Sequence, residues 1–125
     1  MTDEWKRGGV AGTQYASLTD IITREWSGFT TKAYKQYKGL KKENLRDNMT
    51  NMELALNNLA EVSATEFSRQ NSPKTFKQHS KNAKDGGSVA KAAREQIEKK
   101  LGRSVVTREK ASDYLPTNDD TPLLE

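Results

Sequence analysis

Six bases crowd into one short stretch, Lys32, Lys35, Lys38, Lys41, Lys42 and Arg46, with Glu43 as the one acid among them and Tyr34 and Tyr37 interleaved. Cations at this density can follow a phosphate backbone, and aromatic faces can take unstacked bases, so these residue types suit single-stranded nucleic acid. Helical spacing, however, puts Tyr34 and Tyr37 on one face with Ala33 nearby, which predicts burial of the rings and exposure of the lysines. A second, acid-free stretch carries Arg69, Lys74, Lys77, Lys81 and Lys84, and Lys91, Arg94, Lys99, Lys100 and Arg103 continue the polar face of a later helix. The candidate nucleic-acid-binding set is Lys38, Lys41, Lys42, Arg46, Lys77, Lys81, Lys91 and Arg94.

Other chemistries find less to work with. His79, the single histidine, lies between Gln78 and Ser80 in a chain without cysteine. With no carboxylate cluster nearby to complete a metal shell, it reads as a solvated side chain. No serine has a partnered base, so no hydrolase triad is visible. Glu61 with Glu66, and Glu95 with Glu98, are spaced as carboxylates on wet helix faces commonly are. Asp85-Gly86-Gly87-Ser88 can offer free amides to a phosphate at a helix start. It is neither a Walker loop nor GxGxxG, and a flexible joint with a serine cap is the preferred reading. Asn48-Met49-Thr50 matches a glycosylation sequon, but Thr50 has a capping role instead. The expectation is a non-enzymatic protein with no metal, no cofactor and no small-molecule substrate.

These residues need positioning elements, and 125 residues with 33% hydrophobic and 30% charged side chains allow one domain with one modest core. The apolar groups must then gather on helix faces. No apolar run approaches the ~20 residues of a membrane span. The first twenty residues lack a cationic start and apolar block, so a cytoplasmic protein with no membrane partner is expected. The absence of cysteine excludes disulfides and thiolate sites. The formal charge of +4 hides an asymmetry: residues 111–125 hold four acids and no base, leaving residues 1–110 with 21 bases against 13 acids, a net +8. A basic body of this kind suits a polyanionic partner.

Thr2 to Tyr15 sets Trp5 and Val10 among Gly8, Gly9 and Gly12, which predicts an arm or short frayed helix over residues 1–16. Leu18, Ile21, Ile22 and Trp26 recur at helical spacing, giving a helix over Ser17 to Ser27 that stops at Gly28. A short basic helix opens at Thr30 or Thr31 and ends at Gly39. Thr50 and Glu53 form a capping box, opening the longest helix, to about Gln70, with a stripe of Met52, Leu56, Leu59, Ala60 and Phe67. Ser72 to Lys84 reads as helix or loop. Gly86 and Gly87 interrupt the pattern, and Ser88 then caps a helix with the stripe Val89, Ala93, Ile97 and Leu101, ending at Gly102. Val105 and Val106 make a brief extended insert before Thr107 caps a last turn carrying Ala111, Tyr114 and Leu115. The resulting fold class is all-α, an irregular bundle of about five or six helices over residues 17–115, followed by a disordered acidic tail over residues 116–125.

Three segments carry a family resemblance: Lys38 to Arg69, KGLKKENLRDNMTNMELALNNLAEVSATEFSR; Gly86 to Thr107, GGSVAKAAREQIEKKLGRSVVT; and Leu18 to Gly28, LTDIITREWSG. Together they resemble the C-terminal part of DNA-damage-inducible protein D and related phage antirepressor-like proteins. The resemblance implies a role in the bacterial damage response or in phage-derived regulation. It also implies a fragment or shortened relative of proteins that have an N-terminal DNA-binding-like domain before this region. The function expected is electrostatic engagement of DNA or a nucleoprotein filament through basic helix surfaces. The alternative is a module for docking a protein or a second copy, with Trp5, Val10 and Tyr15 exposed for contact with a preceding half.

Overall fold

The computed structural model describes residues 2–111 and is all-helical there, with α1 (Thr2–Arg7), α2 (Tyr15–Ser27), α3 (Thr31–Tyr37), α4 (Asn51–Asn71) and α5 (Phe76–Leu101). Single 3-10 turns at Gly12–Gln14 and Arg46–Asn48 complete the helical elements. Helices α4 and α5 pack against each other most extensively, and α2 packs on both. Tyr114, Leu115 and the expected tail lie outside the described residues.

Helix boundaries follow local chemistry. Thr30 accepts a hydrogen bond from the Ala33 amide and opens α3, while Thr50 and Glu53 form the expected capping box of α4. Left-handed glycines stop two helices, with φ of 86° at Gly28 and 74° at Gly102. α5 differs most from expectation. Its cap is Thr75, in a reciprocal capping box with Gln78, and it runs unbroken through Gly86 and Gly87 to Leu101. Ser88 does not cap anything, because its hydroxyl donates to the Asp85 carbonyl within the helix.

Packing explains the two mid-helix glycines. A Cβ at Gly86 would sit 2.6 Å from the Ala60 carbonyl oxygen and from Ala64, and one at Gly87 would sit 2.6 Å from Glu25 Cβ and 3.0 Å from the Ile22 carbonyl oxygen. Gly86 therefore brings α5 onto α4, and Gly87 brings it onto α2. Small residues continue this close contact, with Ala60 and Ala64 on α4 and Ala83 and Ala90 on α5 fully buried. The glycine pair that sequence alone reads as a joint is the point where three helices meet.

The buried stripes shift accordingly. α4 buries Glu53, Leu56, Asn57, Ala60, Ala64 and Ser68, whereas the expected stripe residues Met52 and Leu59 are exposed. On α5, Val89 and Leu101 are likewise exposed. Polar residues fill the gap at one end of the α4–α5 seam: Asn71 and Asn82 exchange amide hydrogen bonds of 2.8 and 3.0 Å, and Asn82 also reaches the Ser68 hydroxyl.

The N-terminal arm is part of this core. Trp5 is 1% exposed and Val10 is buried, Tyr15 packs on Trp5 with ring centroids 5.5 Å apart, and α2 already begins at Tyr15. These three residues therefore pack within the domain and are not displayed for a preceding half. His79, expected in solvent, is 1% exposed, with Nε2 3.3 Å from the Gly8 carbonyl oxygen. His79 Nδ1 and Trp5 Nε1 are buried without a hydrogen-bond partner among the described residues. Val105 and Val106 are buried in non-helical, non-strand chain. Thr107 starts no helix over residues 108–110; its hydroxyl accepts from the Glu109 amide.

Gly86→Ala and Gly87→Ala are each expected to destabilise the fold by about 1–3 kcal/mol through overpacking, where the same change on an exposed helix would add up to about 1 kcal/mol of stability. Urea unfolding followed by helical circular dichroism checks this. A midpoint unchanged or raised in both variants would contradict the close approach.

Candidate nucleic-acid interface

The basic stretch 32–46 divides into one buried lysine and a set of surface cations. Lys38 is 2% exposed. Its Nζ donates to Glu53 Oε1 at 2.7 Å and to the Glu109 carbonyl oxygen, and it lies 5.6 Å from the Tyr34 ring centroid. Glu53, fully buried, gathers further donors: the Tyr34 hydroxyl, the Thr50 amide at 2.8 Å and the Thr107 amide at 3.2 Å. This carboxylate joins α3, α4 and the chain after α5. The expectation of an exposed, phosphate-contacting Lys38 is corrected here: its ammonium neutralises a buried carboxylate, as a desolvated charge requires.

The aromatic side chains are engaged too. Tyr34 is fully buried, with Trp26 and Phe29 ring centroids 6.1 and 5.8 Å away. Tyr37 lies 5.1 Å from Phe29 in a stacked arrangement, and the Arg108 guanidinium sits 4.9 Å from its centroid. Neither tyrosine offers a free face to a base. Burial, followed by the hydrogen bond to Glu53, holds the Tyr34 phenol well above the ordinary tyrosine range.

Among the remaining candidates, Lys41 and Lys42 are exposed. Lys41 lines a groove between α2 and α3 with Lys32 and Lys35, walled by Ala16, Thr19 and Asp20 of α2. Lys42 and Arg46 line the adjoining groove, which shares Lys35 and Thr19. Of the carboxylates lining these grooves, Asp20 and Glu43 are bound to backbone, while Glu61 is held by the Arg46 guanidinium and the Asn57 side-chain amide. Asp20 accepts from the Thr31 amide at 3.0 Å, and Glu43 accepts from the Lys41 and Lys42 amides at 2.8 and 3.0 Å. The amide bonds, that from Lys41 foremost, lower the Glu43 pKa, so it stays an anion. Among the described residues, Lys32, Lys35, Lys41 and Lys42 form no ion pair. Arg46 is exposed but pairs with Glu61.

Lys77 and Lys81 stand together with Lys84 around a second groove, which Ile21 of α2 closes. Lys81 forms an exposed pair with Asp85 at 2.8 Å, a contact of about 0.3–0.5 kcal/mol that phosphate can displace. Lys91 is exposed on the same face of α5, two turns beyond Lys84. Arg94 belongs to the fold: its Nε donates to the Trp26 carbonyl oxygen at 2.7 Å and Nη1 pairs with Glu98 at 3.0 Å. The structure thus groups Lys41 and Lys42, and separately Lys77 and Lys81, while Lys38 and Arg94 hold helices together. Lys32, Lys35 and Lys84, outside the predicted set, complete the two groups. The i, i+3 spacing of Lys32 with Lys35 on α3 and of Lys81 with Lys84 on α5 was the available signal.

The phosphate-loop reading of residues 85–88 fails, because these amides lie inside a continuous helix. No group of three or more His, Asp or Glu capable of holding a metal occurs among the described residues, and no described helix is long and apolar enough to cross a membrane. Comparison of the chain with family models, curated proteins and solved structures finds no match in any of the three.

Two expectations test the buried cluster. Lys38→Met should destabilise by about 3–5 kcal/mol by stranding the Glu53 carboxylate, whereas Lys41→Met should stay within about 0.5 kcal/mol; equal urea midpoints would contradict the assignment. A phenol whose pKa is raised on folding adds stability that is full below the unfolded value, about 10, and lost above it. Alkaline ultraviolet titration should therefore show Tyr34 ionising only as the protein unfolds, and Tyr34→Phe should remove that late step. Ionisation of Tyr34 near pH 10 with the fold intact would contradict it.

Proposed function

We propose that this chain is a non-enzymatic helical domain that binds DNA through phosphate contacts, within a damage-response or phage-derived regulatory setting. The observation that carries the reading is the convergence of Lys32, Lys35, Lys41 and Lys42 on the α2–α3 grooves, where Asp20 and Glu43 are bonded to backbone amides and Glu61 is paired with Arg46. Ammonium groups without ion-pair partners release counterions from a phosphate backbone when they bind it, and this supplies affinity without sequence preference. The regulatory setting rests on the resemblance of the quoted segments to DNA-damage-inducible protein D. A non-catalytic role is supported by the sealing of Tyr34, Lys38 and Glu53 from solvent, which leaves this titratable cluster without substrate access.

A protein-docking reading has one observation in its favour. Met52, Leu59 and Val62 are exposed at helical spacing on α4, with Val89 and Leu101 exposed on α5. Exposed apolar side chains of this number mark contact surfaces when they are contiguous.

Fluorescence anisotropy of labelled DNA across a salt series separates the two. Binding should weaken linearly in log salt, and replacing Lys32, Lys35, Lys41 and Lys42 together with glutamate should reduce affinity by at least about tenfold and flatten the slope by roughly 3–4. Unchanged affinity in that variant, with its circular dichroism intact, would contradict the phosphate reading. Binding abolished instead by Leu59→Lys with Val62→Lys would favour the apolar face.

A further inference from the structure

We infer that the partner surface is built for duplex DNA of B form, with α2 presented to the major groove and the two lysine groups reaching the phosphates on either side. The inference rests on the phosphate-binding reading and adds the form of the ligand and the element that faces it. The geometry comes from α2 itself. Ala16, Thr19 and Asp20 wall the groove that holds Lys32, Lys35 and Lys41, whereas Ile21 walls the groove that holds Lys77, Lys81 and Lys84. At about 100° per residue, Ile21 points to the flank of α2 roughly opposite that of Ala16 and Thr19. The two cationic groups therefore straddle the same turns of one helix.

Between them runs an exposed ridge carrying Ser17 and, two turns on, Arg24. Of the acids on its two flanks, Asp20 is tied to the Thr31 amide, and Glu25, half-buried on the Ile21 side, packs its stem against Gly87 of α5. A helix with its side chains is about 10–12 Å across, and the B-form major groove is about 12 Å wide. Cations on both flanks of such a helix stand where the two phosphate backbones run when the ridge enters the groove. Single strands lack the second backbone. They would need stacking platforms, and neither tyrosine of the basic stretch has a free face. The deep, narrow major groove of A-form RNA excludes the ridge.

The test is anisotropy with the full chain and four probes: a labelled DNA duplex of about two helical turns, each of its single strands, and the RNA duplex of the same sequence. The DNA duplex is expected to bind at least about tenfold tighter than the strands or the RNA. Lys32→Glu with Lys41→Glu on one flank, and Lys77→Glu with Lys84→Glu on the other, should each weaken duplex binding about tenfold or more, and Arg24→Glu should weaken it as well. If a reversal variant fails to fold by circular dichroism, the corresponding glutamine variants carry the same expectation with a smaller loss. Single strands or RNA binding as tightly as the DNA duplex, or a silent Lys77 and Lys84 flank, would overturn this inference while leaving the phosphate reading intact. Binding to none of the four probes would overturn both.

Discussion

Glu53 is the constraint on which the arrangement of the basic region depends. A carboxylate removed from water must be neutralised and its oxygens satisfied, or the fold would carry an uncompensated buried charge. Here Lys38 supplies the charge, and the Tyr34 hydroxyl and the amides of Thr50 and Thr107 supply further donors. These groups come from α3, from the first turn of α4 and from the chain beyond α5. Meeting the needs of one side chain therefore fixes where a seven-residue helix, too short to be stable alone, sits on the bundle.

Once α3 is held by its buried Lys38, its other lysines face outward. The stretch that looks uniformly cationic in sequence is thus a clamp with a surface around it. The same division recurs on α5, where Arg94 ties the end of α2 through the Trp26 carbonyl oxygen while Lys77, Lys81, Lys84 and Lys91 remain exposed. Gly86 and Gly87 permit that second clamp, because only a side-chain-free surface lets α5 approach α4 and α2 closely enough.

Much of the helix layout was legible in the sequence because caps and stops are local. Thr50 with Glu53, Gly28 and Gly102 act where their types predict. What escaped was set by neighbours distant in sequence. The capping box showed Glu53 serving α4, but nothing local showed the same carboxylate meeting Lys38. Gly86 and Gly87 have the local signature of a break, and only the Ala60, Ala64 and Glu25 contacts turn them into a packing point. Hydrophobic periodicity misled on α4 because small and polar residues, Ala60, Ala64, Asn57 and Ser68, face the partner helices while Met52 and Leu59 are left in solvent. His79 gave no sign of burial, since its neighbour in space is the Gly8 carbonyl oxygen of the N-terminal arm. The lysine groups were half legible: their composition was plain, but which members lie free depended on pairing.

The Glu53 cluster positions the basic surface. Amide hydrogen exchange of the isosteric Glu53→Gln variant, alongside Glu61→Gln as a surface control, tests it most directly. Protection is expected to fall in α3 and over residues 105–111 while the α4–α5 seam around Gly86 stays protected, with Glu61→Gln leaving α3 unchanged. Undiminished protection of α3 in Glu53→Gln would contradict it.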